Sequence, residues 1–442
     1  MVLVVSRDDV IAFRLHAHHL TARSDTQDLL EVAGRCGVQN SPPGSALLAL
    51  HARVQGITGK RVDKLVAEDR SLLQSWCMRG APFYFPTSDA AVFTSGVLPP
   101  TEQAMRQFVL GVGPALDRLG LRLAETVEWI GAEIGDVLSG RRLAINELGV
   151  ELTKRITPKL VKKQRDIWNS EGPYAVGQSL GEAVVHFCVR ILTLRGIVCL
   201  APRDTSRAPF VLVDEWLGEP IPSIDPKVAR AELLRRYLRS YGPSTRADFA
   251  AWVGVRASDA DPWWSLVVDE MTPVEFNRRT WMLSDDVDTL QSLSRPTGVR
   301  LLPPRDPYTQ LRDRETLVDK RYHRDVWRPV GDPGTILVDG QIVGTWRPRK
   351  SGRSLTISIK TFDSLPAAKR KSLKGEAEQI APLRRVIGRC RIRHLLSGQG
   401  AEICHAEQGA GQPTALNHGC CAPNAPDTHA HRRRRAVFSD RS

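Results

Sequence analysis

The sequence predicts an α+β fold, mainly helical, with helix-turn-helix units in the middle of the chain and a small β-rich module near its end. Apolar residues recur at helical spacing over most of the chain before Leu301. Two stretches there carry the punctuation of a helix, a tight turn and a second helix, and from Ile336 the pattern switches to short alternating strands. At 442 residues the chain exceeds what one hydrophobic core serves. It divides into an N-terminal helical part at 1–100, a first winged helix at 101–220, a second helix-turn-helix or winged helix at 221–300, a β-rich module with a basic helix at 301–395, and a disordered tail at 396–442.

Each element has its own signal. Residues 10–15, followed by His16, His18 and His19, read as a lead-in helix bearing solvated imidazoles, because no carboxylate or Cys stands at ligand spacing. Ser24 or Asp25 opens a helix that runs to Val32. Val62, Leu65, Val66, Leu72, Leu73 and Trp76 place a helix over 61–76, and Phe83-Tyr84-Phe85 reads as a short buried strand. Two helices fill 101–137, and Asn146 caps the first helix-turn-helix unit. A helix at 183–195, a strand from Gly196, a loop and a strand at 210–213 complete the layout of a winged helix. In the second unit Gly242-Pro243 stops one helix, and Ser244 or Thr245 caps the next with Asp248 near its third position. Asp339-Gly340 is a two-residue hairpin turn, 355–359 is a third strand, and 366–381 is helical.

The net charge of +13 favours a polyanionic partner through counterion release, which supplies affinity rather than sequence choice. Residues 369–393 hold nine Lys or Arg against two acids, the densest basic run in the chain. None of the eight cysteines forms a C-x-x-C pair, and Cys36, Cys77, Cys188 and Cys199 lie in apolar surroundings. A disulfide framework, a metal site and a cofactor are therefore not expected. No stretch of about 18 apolar residues occurs and no charged start precedes an apolar run, so no membrane segment is expected and the protein reads as cytoplasmic and nucleoid-associated.

The most informative stretch is Val38-Gln39-Asn40-Ser41-Pro42-Pro43-Gly44, which places an amide and a hydroxyl two residues apart just ahead of a helix. No metal cluster, phosphate loop or thiol motif accompanies it. In a chain this basic, one chemistry left is assisted hydrolysis of an already weak bond in nucleic acid.

Five blocks in order resemble the winged-helix DNA glycosylase family of the AlkZ/YcaQ type. They are Val38-Gln39-Asn40-Ser41-Pro42, Trp76-Cys77-Met78-Arg79-Gly80-Ala81-Pro82, Tyr241-Gly242-Pro243-Ser244-Thr245-Arg246-Ala247-Asp248-Phe249, Leu301-Leu302-Pro303-Pro304-Arg305-Asp306-Pro307-Tyr308, and Val338-Asp339-Gly340-Gln341-Ile342-Val343-Gly344-Thr345-Trp346. The resemblance spans roughly residues 5 to 385. It implies tandem winged-helix modules in a C-shape around double-stranded DNA, and metal-independent removal of alkylated bases, in some members from interstrand crosslinks. In that family a Gln, any residue, and then Gln or Asp carry the chemistry. The matching positions are Gln39, Asn40 and Ser41, and Phe83 stands where relatives often have His.

Alkylation at purine N7 makes the base a good leaving group, so what remains is to hold a water and stabilise an oxocarbenium-like sugar. Gln39 can orient the water through its amide. Ser41 can hold it but supplies no negative charge. Arg53 and Arg79 are candidate phosphate clamps. Lys154, Arg155, Lys162, Lys163, Arg246, Arg347, Arg349 and Lys350 form a group of expected backbone contacts, which position DNA without reading bases. The expected function is a monomeric glycosylase for N7-substituted purines. The alternative, drawn from Ser41 and Phe83, is a non-catalytic winged-helix DNA-binding protein.

Overall fold

The computed structural model describes residues 3–204, 207–352, 354–384 and 390–396. The expected disordered tail, with Cys404, Cys420 and Cys421, lies outside the described residues beyond Leu396. After a short strand β1 (Leu3–Val4), Ser6 opens helix α1 (Arg7–Ala17). The Ser6 hydroxyl accepts from the Asp9 amide at 3.2 Å and the Asp9 carboxylate accepts from the Ser6 amide at 2.9 Å, a reciprocal cap. The short helix Leu29–Gly34 follows a 3-10 turn at Thr26–Asp28.

Strand β2 (Val38–Gln39) then leads to helices α2 (Ser45–Arg53) and α3 (Gly59–Ala67), and strands β3 (Leu72–Trp76) and β4 (Pro82–Pro86) form a hairpin. This corrects the expectation of one helix over 61–76. Arg70, at φ 52°, turns the chain after α3, and β3 pairs antiparallel with β4 from Leu72↔Pro86 to Trp76↔Pro82. Leu72, Leu73 and Trp76 suit helical spacing as well as a strand. The partner strand, which local spacing does not contain, decides between them.

Helices α4 (Glu102–Phe108), α5 (Gly113–Leu119) and α6 (Leu123–Leu138) occupy the region expected to hold two. Strand β5 (Leu143–Ala144), helices α7 (Ile145–Ile156), α8 (Lys162–Trp168) and α9 (Leu180–Leu194), and strands β6 (Val198–Leu200) and β7 (Pro209–Leu212) follow. Ala144, not Asn146, is the cap of α7, because β5 runs straight into the helix and the Ala144 amide donates to Glu147 Oε2 at 2.8 Å. One sheet runs β2-β4-β3-β6-β7-β5, so strands from 38–86 and 143–212 share a layer. Helix α9 is buried along most of its length, with Val184, Cys188, Ile191 and Leu192 in the main core.

Helices α10 (Pro226–Tyr241) and α11 (Arg246–Val253) meet at Gly242-Pro243. Thr245 caps α11, its hydroxyl accepting from the Asp248 amide at 3.2 Å. Ser244 bridges to Trp281 in the hairpin of β8 (Met271–Phe276) and β9 (Arg278–Leu283), and β8 also pairs in parallel with β1.

The last sheet runs β10 (Val299–Leu302), β11 (Gly334–Val338), β12 (Gln341–Ser351), β13 (Ser354–Thr361) and β14 (Cys390–Leu396). Asp339 and Gly340 both sit at positive φ, 48° and 81°, as the primed two-residue turn requires. Helix α12 (Ala367–Leu383) lays Leu373, Ala377 and Ile380 against Ile336, Trp346 and Ile357. Leu48 of α2 joins the same cluster, so the helix that follows the Gln39 block docks on the C-terminal module. The architecture is thus mixed α/β, and no helix among the described residues is long and apolar enough to cross a membrane.

Candidate active site

Gln39 ends β2, opposite Phe83 of β4, and is 2% exposed. Its Oε1 accepts from Arg79 Nη2 at 3.2 Å, which fixes which way the amide points. The Gln39 nitrogen has no hydrogen-bond partner among the described residues. Arg79 stands at φ 56°, a left-handed conformation that costs a non-glycine residue about 1–2 kcal/mol. It also donates to Trp252 O near the end of α11 and lies over the Phe83 ring at 5.7 Å. Burial pulls its pKa down to about 10, below the ordinary arginine value. The close approach is specific to glycine at one position: a Cβ on Gly254, at φ 109°, would stand 3.0 Å from Arg79 Cα.

Asn40 faces the other way. Its Oδ1 accepts from the Gly44 amide at 2.9 Å and the Ala46 amide at 3.4 Å, closing the turn that starts α2. Ser41 is half-buried in that turn. Arg53, expected at a phosphate, is instead 2% exposed and held by Asp306 in a two-pronged pair at 2.8 and 2.7 Å, with a third bond to Ala49 O. A guanidinium so committed has no donor face left for DNA.

The remaining expected contacts fall into three groups. Lys154 and Arg155 end α7, and Lys162 and Lys163 begin α8; all four are exposed. Arg155 pairs with Glu133 at 3.3 Å and Asp136 at 3.6 Å, whereas Lys154, Lys162 and Lys163 make no ion pair among the described residues. Arg246 begins α11 and pairs with Asp261. Arg347 donates to Gly331 O at 2.6 Å, while Arg349 and Lys350 stand exposed towards the tip of the β12–β13 hairpin. The structure therefore joins Gln39 and Arg79 directly and ties Arg53 to Asp306 as an internal strut.

Sequence reasoning missed Arg190. It projects from α9 against Trp76 and Phe187, at 5.5 and 4.9 Å from their rings, and its Nε is sealed without a partner. Its Cδ would lie 3.0 Å from a Cβ on Gly80, beside Arg79. The available signal was an arginine within the apolar run from Phe187 to Leu194. His18, expected in solvent, is 2% exposed and packs edge-on to Tyr241 at 4.9 Å and Tyr308 at 5.7 Å. Burial pushes the Cys36 thiol up to about 11, which leaves it protonated and inert. Among the described residues no group of three or more His, Cys, Asp or Glu stands close enough to hold a metal.

The quoted blocks converge in space. Arg79 reaches Gln39 in one direction and Trp252 in the other. Arg53 reaches Asp306, the Tyr241 hydroxyl donates to Pro307 O at 3.0 Å, and the Trp346 indole donates to Leu302 O at 2.8 Å. Comparison with known proteins agrees with this pattern. The model of the family described as DNA glycosylase AlkZ-like matches residues 32–383. An interstrand DNA cross-link repair glycosylase of Streptomyces sahachiroi is 25% identical over 349 residues, covering 76% of this chain and 86% of that protein. The solved structure of Streptomyces sahachiroi DNA glycosylase AlkZ superposes with a TM-score of 0.70 at 23% identity, over 89% of this chain and 100% of that one, a likeness of fold. With the matched region running from just before Gln39 to the end of α12, the chain belongs to the AlkZ-like DNA glycosylase family.

Proposed function

We propose that this protein is a DNA glycosylase that hydrolyses the N-glycosidic bond of N7-alkylated purines, including those in interstrand crosslinks, with Gln39 orienting the attacking water. The observation that carries the reading is the hydrogen bond from Arg79 to Gln39 Oε1, found in a chain whose family is one of DNA glycosylases. An amide fixed in this way keeps one carbonyl lone pair for a water proton and its N–H group for a second acceptor. The water adds to C1′, the C1′–N9 electron pair returns to the cationic base and neutralises it, and a proton passes to solvent. An abasic site remains. Because the leaving base already carries positive charge, no strong general acid is required.

DNA would be held by Lys154, Arg155, Lys162, Lys163, Arg246, Arg349 and Lys350, with Arg190 as an added anion contact beside Arg79. The units α6–β5–α7–α9–β6–β7 and α10–α11–β8–β9 are read as the two winged helices of a C-shaped, monomeric, nucleoid-associated enzyme. The run β6-β7-β5 at one end of the six-stranded sheet and the Ser244–Trp281 bridge support that reading.

A specific observation favours a second reading, a DNA-binding protein without catalysis. Gln39 is 2% exposed and Ser41 brings no carboxylate, so the amide could serve only to brace Arg79. One assay separates the two: base release from an N7-methylguanine duplex and from crosslinked DNA at enzyme excess, for wild type, Gln39→Ala and Ser41→Asp. The glycosylase reading expects release by wild type, its loss in Gln39→Ala, and a faster rate in Ser41→Asp. No release by wild type from either substrate leaves the binding protein standing.

A further inference from the structure

Where the chain after α1 meets α2, β10 and α12, the protein lines an open pocket of about 470 Å³, and Gln39 is not among its walls. Its walls include Arg23, His51, Gln55, Arg300 and Gln379, and no acidic residue lines it. Arg23 is fully engaged: both terminal nitrogens donate to Glu376, at 3.1 and 2.7 Å, and its Nε donates to His51 O at 2.8 Å. Arg300 is not. Its Nη1 donates to the carbonyl of Val299 at 2.8 Å, and its Nε is buried with no acceptor among the described residues. Two guanidiniums thus share the neighbourhood of one carboxylate, and that carboxylate is bound bidentately to the other.

His51 repeats the pattern. It is 8% exposed, and neither ring nitrogen has a partner among the described residues. Burial, with Arg23 nearby, brings its pKa down to about 4, so the ring is neutral at physiological pH, with one N–H to donate and one lone pair to accept. A sealed guanidinium N–H and two sealed imidazole nitrogens are a cost to folding that no group among the described residues offsets.

We propose that the cavity walled by Arg23, His51, Arg300 and Gln379 binds a phosphate group, with Arg300 as its principal charge partner. A phosphate supplies what the walls lack. Its anionic oxygens meet the terminal guanidinium nitrogens of Arg300, with the neutral His51 ring as an uncharged wall beside them. The glutamine amides add neutral donors at the exposed rim. The same chemistry has two sources, a small phosphate-bearing solute or a phosphate of the DNA backbone. The inference does not depend on base excision, because binding is read without a lesion.

The test is calorimetric titration of the full chain with inorganic phosphate, supported by thermal unfolding, which ligand binding shifts upward. Wild type is expected to bind one phosphate. Arg300→Met removes the unpaired charge, so it should melt no lower than wild type without phosphate and bind phosphate about tenfold or more weakly. Gln379→Glu, at an exposed position that tolerates a charge, should also weaken binding by placing a carboxylate at the rim. Absence of phosphate binding by wild type, or unchanged affinity in both variants, overturns the proposal. Repeating the titration with saturating unmodified duplex identifies the source: loss of the phosphate signal points to the DNA backbone, and its persistence to a soluble phosphate compound.

Discussion

Arg53 and Asp306 face each other with side-chain exposures of 3% and 0%, and Asp306 also accepts from the Tyr308 amide at 3.0 Å. Removing either partner strands a charge in a site that water does not reach. Arg53→Met is therefore expected to lower unfolding free energy by about 3–5 kcal/mol, and replacing both partners with apolar residues should restore much of it. Chemical denaturation of the two single variants and the double variant measures this, and a loss under about 1 kcal/mol in Arg53→Met would mean that the pair is solvated after all. The residue also shows where sequence stops being informative. A phosphate and a carboxylate 253 positions away ask for the same guanidinium, and nothing local to Arg53 distinguishes them. The turn after Gln39 and the start of α2 were legible, because Pro42, Pro43 and Gly44 mark a turn before a helix. The burial of Gln39 under Arg79 was not, since that depends on an α11 carbonyl far along the chain.

At the scale of elements, α2 is started by a side chain five residues ahead of it. Asn40 supplies the oxygen that its first amides lack, so Asn40→Ala should cost about 1 kcal/mol in thermal or chemical unfolding, while leaving Gln39 chemically intact. An Asn40→Ala variant that folds normally but loses base release would instead give the second amide a chemical role. The β12–β13 hairpin makes a different kind of test. Arg349 and Lys350 alternate across the strand, so they present charge to both of its sides. If they hold phosphates, Arg349→Ala and Lys350→Ala should weaken binding equally on all duplex sequences and each reduce the slope of log affinity against log salt by about 1. An unchanged slope removes them from the interface. This hairpin was readable from Asp339-Gly340 and the alternating strands that follow. The β3–β4 hairpin was only half readable, because Leu72 and Leu73 fit helical spacing until their partner strand is known.

For the whole molecule, acid should be a weakness, and the histidines set where it begins. His18 is pulled well below the ordinary value by burial and then by Arg53, and the causes at His51 and His186, each near 4, are burial and then Arg23 and Arg190 respectively. All three are neutral in the folded protein at pH 7 and take up protons in the unfolded chain near pH 6.5. The unfolded state therefore binds more protons below about 6.5, and stability falls as pH falls, by up to about 1.4 kcal/mol per pH unit for each such histidine, until the folded pKa is reached. Asp313, whose carboxyl is held below its usual range by Arg14 despite its burial, extends the loss below about pH 4. The part owed to His51 and His186 is thus fully present above about 6.5 and is shed between there and about 4. His18 lies in the seam where α1 meets Tyr241 and Tyr308, so its protonation should open the same junction that Arg14 closes through Gly242 O and Pro243 O. Melting temperature measured from pH 8 to pH 4.5 should be level at first and then drop steeply below about 6.5. A flat profile to pH 5 would show that these rings are hydrated and charge freely in the folded state.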